Sequence, residues 1–147
     1  MSLNLKSART AVKNRVAGIS GIELVEEDQL PEGVTPPRDQ WNQMSPYAVI
    51  HFGRPVPDYG RTLADGEADY PHVWPTWVEL VAPSGYSIND LADDLDASLL
   101  DWQPDGDNST GLSGSASYSY SIASVDNMPA RKVLNRYYIC KVNLSRS

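Results

Sequence analysis

Two histidines and one cysteine, together with a run of aspartates, are the groups in this chain whose chemistry could serve a reaction. His51 lies in "YAVIHFG", in phase with Tyr47 and Val49, the position of a histidine satisfied within a strand. His72 precedes a second strand-like run, and neither histidine has a Cys or carboxylate at metal-ligand spacing, so zinc is not expected. Cys140 is the single cysteine, which excludes an intramolecular disulfide and leaves the redox compartment unread. Its setting in "YYICKVNL" makes it a small hydrophobe on a buried strand rather than a reactive thiol.

The segment Asp90 to Asp107 holds seven aspartates and no basic residue. Paired carboxylates can do acid–base work, and Trp102 stands nearby. Asp93, Asp94 and Asp96, however, fall on a helix face away from the apolar stripe, the pattern of a solvated face or a partner contact. "DGDNSTG", from Asp105 to Gly111, resembles the start of a calcium loop through Asp105, Asp107 and Ser109. Thr110 stands where the loop needs Gly and Ala116 where it needs the bidentate Glu, so an Asp/Asn/Gly turn is the better reading. None of the phosphate-cradling, zinc-protease or nucleophile-elbow motifs occurs. The sequence therefore gives no catalytic residue, metal ligand or cofactor site.

The elements that would position these groups are readable. At 147 residues the chain is expected to be one domain, 1–147, with a core that needs no staples. Asn4 is a candidate N-cap, and Leu5, Ala8, Val12, Val16 and Ile19 share a helix face that stops near Gly18 and Gly21. Lys6, Arg9 and Lys13 form the opposite, basic face. Residues 22–45 read as a long polar connector in which "IELV" could pair as a strand and Pro36–Pro37 excludes regular structure. "PYAVIHFG" is a strand, and so is Val73 to Ala82. The excursion 54–71 between them suits the projecting tip of an antiparallel hairpin.

Ser87, with Asp90 three residues on, caps a second helix whose stripe is Ile88, Leu91, Ala92, Leu95 and Leu99. "SYSYSIASV" alternates, placing Tyr118, Tyr120 and Ile122 on one face and mostly Ser on the other. A last strand carries Leu134, Tyr138, Cys140, Val142 and Leu144. The order predicts an α+β fold: a mixed or antiparallel sheet of about four or more strands, flanked by two helices, with long projecting loops. Trp74 and Trp77 are three apart and so point to opposite faces. Trp74, Thr76, Val78, Leu80 and Ala82 go to the core under a helix. Trp77, Glu79 and Val81 form a mixed face that is only partly covered, which leaves Trp77 for a second helix or a neighbouring subunit. Pro75 suits an edge or the start of a strand.

The net charge of −7 argues against a general nucleic-acid binder. No apolar run approaches membrane-spanning length, and "MSLNLKSARTAV" lacks the apolar core of a signal peptide.

The element order, with "PYAVIHFG", "WPTWVELVAPSG", "LADDLDASLLDWQPD" and "RYYICKVNLS", resembles the tail terminator proteins of long-tailed, siphovirus-type bacteriophages over Ala8 to Leu144. Connector 22–45 has no counterpart in that pattern. The resemblance implies a homo-oligomer, usually a hexameric ring, that caps the tail tube, ends its growth and joins the head connector. DNA passes its lumen without specific binding, and no catalysis, cofactor or membrane is involved. Such a protein is assembled in the host cytoplasm and resides at the head-proximal end of the virion tail. A ring needs two different complementary patches per subunit. The basic face Lys6, Arg9, Lys13 and the acidic face Asp93, Asp94, Asp96 are one candidate pair; acidic residues lining the lumen, away from DNA, are another use of that charge. Tyr59, Arg61 and Tyr70 are the expected anchors of excursion 54–71 on a neighbour. Alternatives are another neck or tail component, such as a connector, stopper or tube subunit, and a small hydrolase or carbohydrate-binding protein. The last would need Trp74, Trp77, Trp102 and the aspartates to converge in one pocket.

Overall fold

The computed structural model describes residues 4–57, 72–125 and 128–143. Helix α1 (Leu5–Ala17) starts where expected: Asn4 Oδ1 accepts the Ser7 N–H at 3.0 Å. Its buried stripe is Ala8, Val12 and Val16, and Gly18 closes it. Helix α2 (Ile88–Leu99) is capped by Ser87, whose Oγ accepts the Asp90 N–H at 3.2 Å, and buries Leu91, Leu95 and Leu99.

The strands are β1 (Val25–Glu27), β2 (Tyr47–Phe52), β3 (Val56–Pro57), β4 (His72–Pro83), β5 (Ser113–Ile122) and β6 (Arg131–Val142). They form one mixed sheet in the order β1-β2-β4-β6-β5, with β3 pairing β4 beyond the end of β2. The expected β2–β4 hairpin is antiparallel, with His51 opposite Trp77 and Val49 opposite Glu79. Among the described strands, β1 with β2 is the one parallel pair. The architecture is thus the α+β fold that the element order predicts, a sheet flanked by two helices.

Strand parity divides the sheet into two faces. Even-numbered residues of β2, β4 and β6 face the helices, and Ala48, Ile50, Trp74, Val78, Leu80, Tyr138, Cys140 and Val142 pack there against α1 and α2. Odd-numbered residues face away. At one corner of that second face, Tyr47, Val49, Val81 and Val133 form a smaller core closed by Val34 of the connector. The Tyr47 hydroxyl donates to the Pro31 carbonyl at 2.8 Å and accepts from Arg131 Nη1 at 2.9 Å, which pins the connector to the sheet.

Two local expectations need correction, at Pro75 and along β6, and two more gain detail, at the connector and on β5. The connector 22–45 is structured: it holds β1, a 3-10 turn at Pro31–Gly33, and a turn in which Asp39 Oδ1 accepts the N–H groups of Trp41 and Gln43. Pro75 is neither at an edge nor at the start of its strand. It lies inside central β4, opposite Ile139, where β2 has ended and β3 begins. The Pro75 carbonyl accepts the Gly53 N–H, so its nitrogen faces the same gap between β2 and β3, where no donor is required. A Cβ at Gly53 would collide with the Pro75 ring, which explains the glycine.

Burial on β6 does not follow one alternation. It changes face along the strand, from Arg131, Val133 and Asn135 on the connector side to Tyr138, Cys140 and Val142 on the helix side, with Leu134 only half-buried. The two covers sit over different parts of the sheet, so each end of β6 is buried from a different side. Finally, β5 does alternate tyrosine and serine, but both of its faces are open, with only Ile122 half-buried. The expected position of Leu144 lies outside the described residues.

Candidate functional site

The odd-numbered face beyond the connector is where the structure gathers side chains of distinctive chemistry. His51 of β2 stacks on Trp77 of β4 at 5.4 Å between ring centroids. Trp77 meets Tyr137 of β6 at 5.7 Å, and Tyr137 meets Tyr118 of β5 at 6.3 Å. Four rings on four adjacent strands therefore make a ladder across the sheet. His51, Trp77 and Tyr137 are direct cross-strand partners, so the register itself assembles them. Tyr120 flanks Tyr118 at 6.3 Å. Tyr118 is 51% exposed and Tyr120 38%, so that end of the ladder is open.

A polar layer holds the rings. Glu79 is only 8% exposed; its Oε1 lies 2.6 Å from His51 Nε2, and its Oε2 accepts the Tyr120 hydroxyl at 3.1 Å. Asp28 Oδ1 stands 3.7 Å from His51 Nδ1. Asn135 is buried and donates Nδ2–H to the Tyr118 hydroxyl at 3.1 Å. Burial, and then the Glu79 charge, push the Tyr120 hydroxyl well above the ordinary tyrosine range. Tyr120 is thus a fixed hydrogen-bond donor rather than a base. A carboxylate with two partners orders the ring edges, and the arrangement suits binding by stacking and apolar contact. Among the described residues, no group of three or more His, Cys, Asp or Glu side chains could hold a metal ion.

Trp77 stands in this ladder, on the face opposite Trp74. Of the other expected partner residues, Lys6 is exposed on α1, Arg9 is half-buried, and Lys13 pairs with Glu27 of β1 at 3.3 Å. Asp93 and Asp94 are exposed on α2. Asp96 is not part of a free acidic face. It turns to the sheet, where its Oδ1 accepts Arg136 Nε–H at 3.0 Å and the Tyr138 hydroxyl at 2.5 Å, because Arg136 and Tyr138 lie on the helix side of β6. Tyr59, Arg61 and Tyr70 lie outside the described residues.

The tryptophans do not converge. Trp74 is fully buried under the helices and donates Nε1–H to the Gly53 carbonyl, while Trp102 lies beneath the Arg15 guanidinium at 4.8 Å. In the 105–111 turn, the Asp105 carboxylate accepts the Asn4 N–H at 3.0 Å, tying the loop to the start of α1. Parity reasoning reached Trp77 but missed His51, Tyr118, Asn135 and Tyr137 as its neighbours. Each sits at an odd-face position, yet only the inter-strand register shows that they meet.

No family model matches the chain, and no curated protein matches it. Seventeen solved chains do. One of them, designated only by a sequence identifier, superposes with a TM-score of 0.53 and 15% identity, over 99% of this chain and 99% of its own. At that identity the likeness concerns the fold alone.

Proposed function

We propose that this chain is a structural subunit that closes into a ring at the end of a bacteriophage tail tube, as its resemblance to tail terminators implies. The observation that carries the reading is the open aromatic ladder. A sheet face with rings from four strands, held by a buried polar layer and left partly open among the described residues, suits an assembly surface. The stretches that carry the resemblance also fall on the framework of the fold: "PYAVIHFG" on β2, "WPTWVELVAPSG" on β4, "LADDLDASLLDWQPD" on α2 and its exit, and the described part of "RYYICKVNLS" on β6 and just beyond it.

In this reading the ring sits at the head-proximal end of the tail, against the tube protein on one side and the head connector on the other. DNA passes through without specific contacts, in keeping with a net charge of −7. The subunit contributes surface and register, with no catalytic step and no cofactor.

Light scattering coupled to size exclusion, followed by negative-stain electron microscopy, tests the proposal. The expected result is a closed ring, about six subunits in the resemblance, with a lumen that admits duplex DNA. A chain that stays monomeric throughout the micromolar range, or one that polymerises into open-ended tubes, overturns it.

A further inference from the structure

Among the described residues, β5 is the outermost strand of the sheet and its only strand partner is β6. Among the described residues, no backbone hydrogen bond reaches its outer edge. Its sequence, "SGSASYSYSI", contains no charge and no proline. Proteins ordinarily blunt a free edge with charge, proline, a bulge or a short strand. β5 has a single irregularity, between Gly114 and Ser117, and from Ser117 to Ile122 it runs in regular register. Along that stretch the outer edge is an uncharged row of N–H and C=O groups with no backbone partner among the described residues. The opposite edge differs: β1 has three residues, includes Glu26 and Glu27, and is followed by Asp28.

We propose that the outer edge of β5 pairs with the same edge of a second copy of this chain, antiparallel about a two-fold axis at Ser119. At such an axis Ser119 meets its own symmetry mate and the residues on either side meet others of the same strand, so a charge at the axis would face itself and charges of one sign nearby would face each other. In a chain of net charge −7, β5 is a strand where two copies meet without that repulsion. The register is self-complementary. Tyr118 stands beside Tyr120 of the second copy, Ser117 beside Ser121, and Ser119 beside Ser119. Tyr118 and Tyr120, both on the ladder face and both substantially exposed, then extend the aromatic surface across the joint. A strand pair of this length is a small contact, so the association is weak and concentration-dependent. It stands apart from ring closure, which uses two unlike patches where this contact uses one patch twice.

Cysteine cross-linking tests the geometry, because the native Cys140 is buried. Directly opposed residues in an antiparallel pair have Cα atoms about 4.5–5.5 Å apart, within the roughly 4.4–6.8 Å range of a disulfide. Under mild oxidation, Ser119→Cys is expected to form a covalent dimer on the order of tenfold faster than Ser20→Cys, an exposed control, because pairing raises the local thiol concentration. Ser119→Lys, which sets two cations against each other at the axis, should abolish that two-fold association in sedimentation velocity while leaving the thermal midpoint unchanged. Cross-linking of Ser119→Cys no faster than the control overturns the proposal. So does a Ser119→Lys protein that associates as the wild type does.

Discussion

Cys140 lies among Trp74, Tyr138 and Val142 beneath the helices, and burial pushes its thiol from 9.0 up to about 12. In the unfolded chain the thiol ionises near its ordinary value, so between pH 9 and 12 the unfolded state releases a proton that the folded state keeps. Stability attributable to this group is full below pH 9 and falls as pH rises through the interval, by about 1.4 kcal/mol per pH unit. Tyr138, raised by burial and then by the Asp96 carboxylate, adds to the same trend at higher pH. Urea unfolding of Cys140→Ala should start from a lower stability, because a cavity is left. Its loss between pH 8 and pH 10.5 should be about 2 kcal/mol smaller than that of the wild type. Equal losses in the two proteins would refute a buried, neutral thiol. The burial of Cys140 is legible from local alternation. The engagement of Asp96 is not, since its partners lie forty residues further on and the helix pattern alone marks it as solvent-facing.

Both helices are written in local terms, which is why their caps and stripes can be read directly. Asn4 and Ser87 each accept an N–H from three residues on, and each apolar stripe repeats at helical spacing. Replacing Ser87 by Ala should cost about 1 kcal/mol, and replacing it by Asp should cost far less, because Asp accepts the same hydrogen bond. Urea midpoints at constant slope measure both; an Ala variant as stable as the wild type would show that the cap contributes nothing. Strands are less legible as they become shorter or less regular. β1 has three residues and pairs in parallel with β2, across a connector that bears no helical or alternating pattern of its own. Pro75 reads as an edge or strand-start residue because proline lacks a donor. Its central position is possible only because β2 and β3 leave a gap beside it, a fact of pairing rather than of sequence.

At the scale of the molecule, one sheet carries two covers on opposite faces, and the aromatic ladder occupies the ground that neither covers. Parity assigns Trp77 to that ground, but the row from His51 to Tyr118 emerges only once four strands are in register. The helix layer bears the charge: Lys6 and Arg9 on α1, with Asp93 and Asp94 on α2. Lys13 and Asp96 are already paired within the chain. If these faces meet between subunits, reversing Lys6, Arg9 and Lys13 to Glu should abolish ring assembly at low salt, while wild-type rings weaken progressively as salt rises. Light scattering across a salt series measures this, and unchanged assembly of the triple variant would exclude the charge pairing. The strand order has a further consequence, for time rather than for shape. β6 is the last of the described strands, yet it lies between β4 and β5, and its nearest link to β4 joins Pro83 to Arg131. The sheet cannot close by adding neighbours in sequence; it must wait for its final strand to arrive from a distance. Chains built on such pairings fold in milliseconds to seconds rather than microseconds.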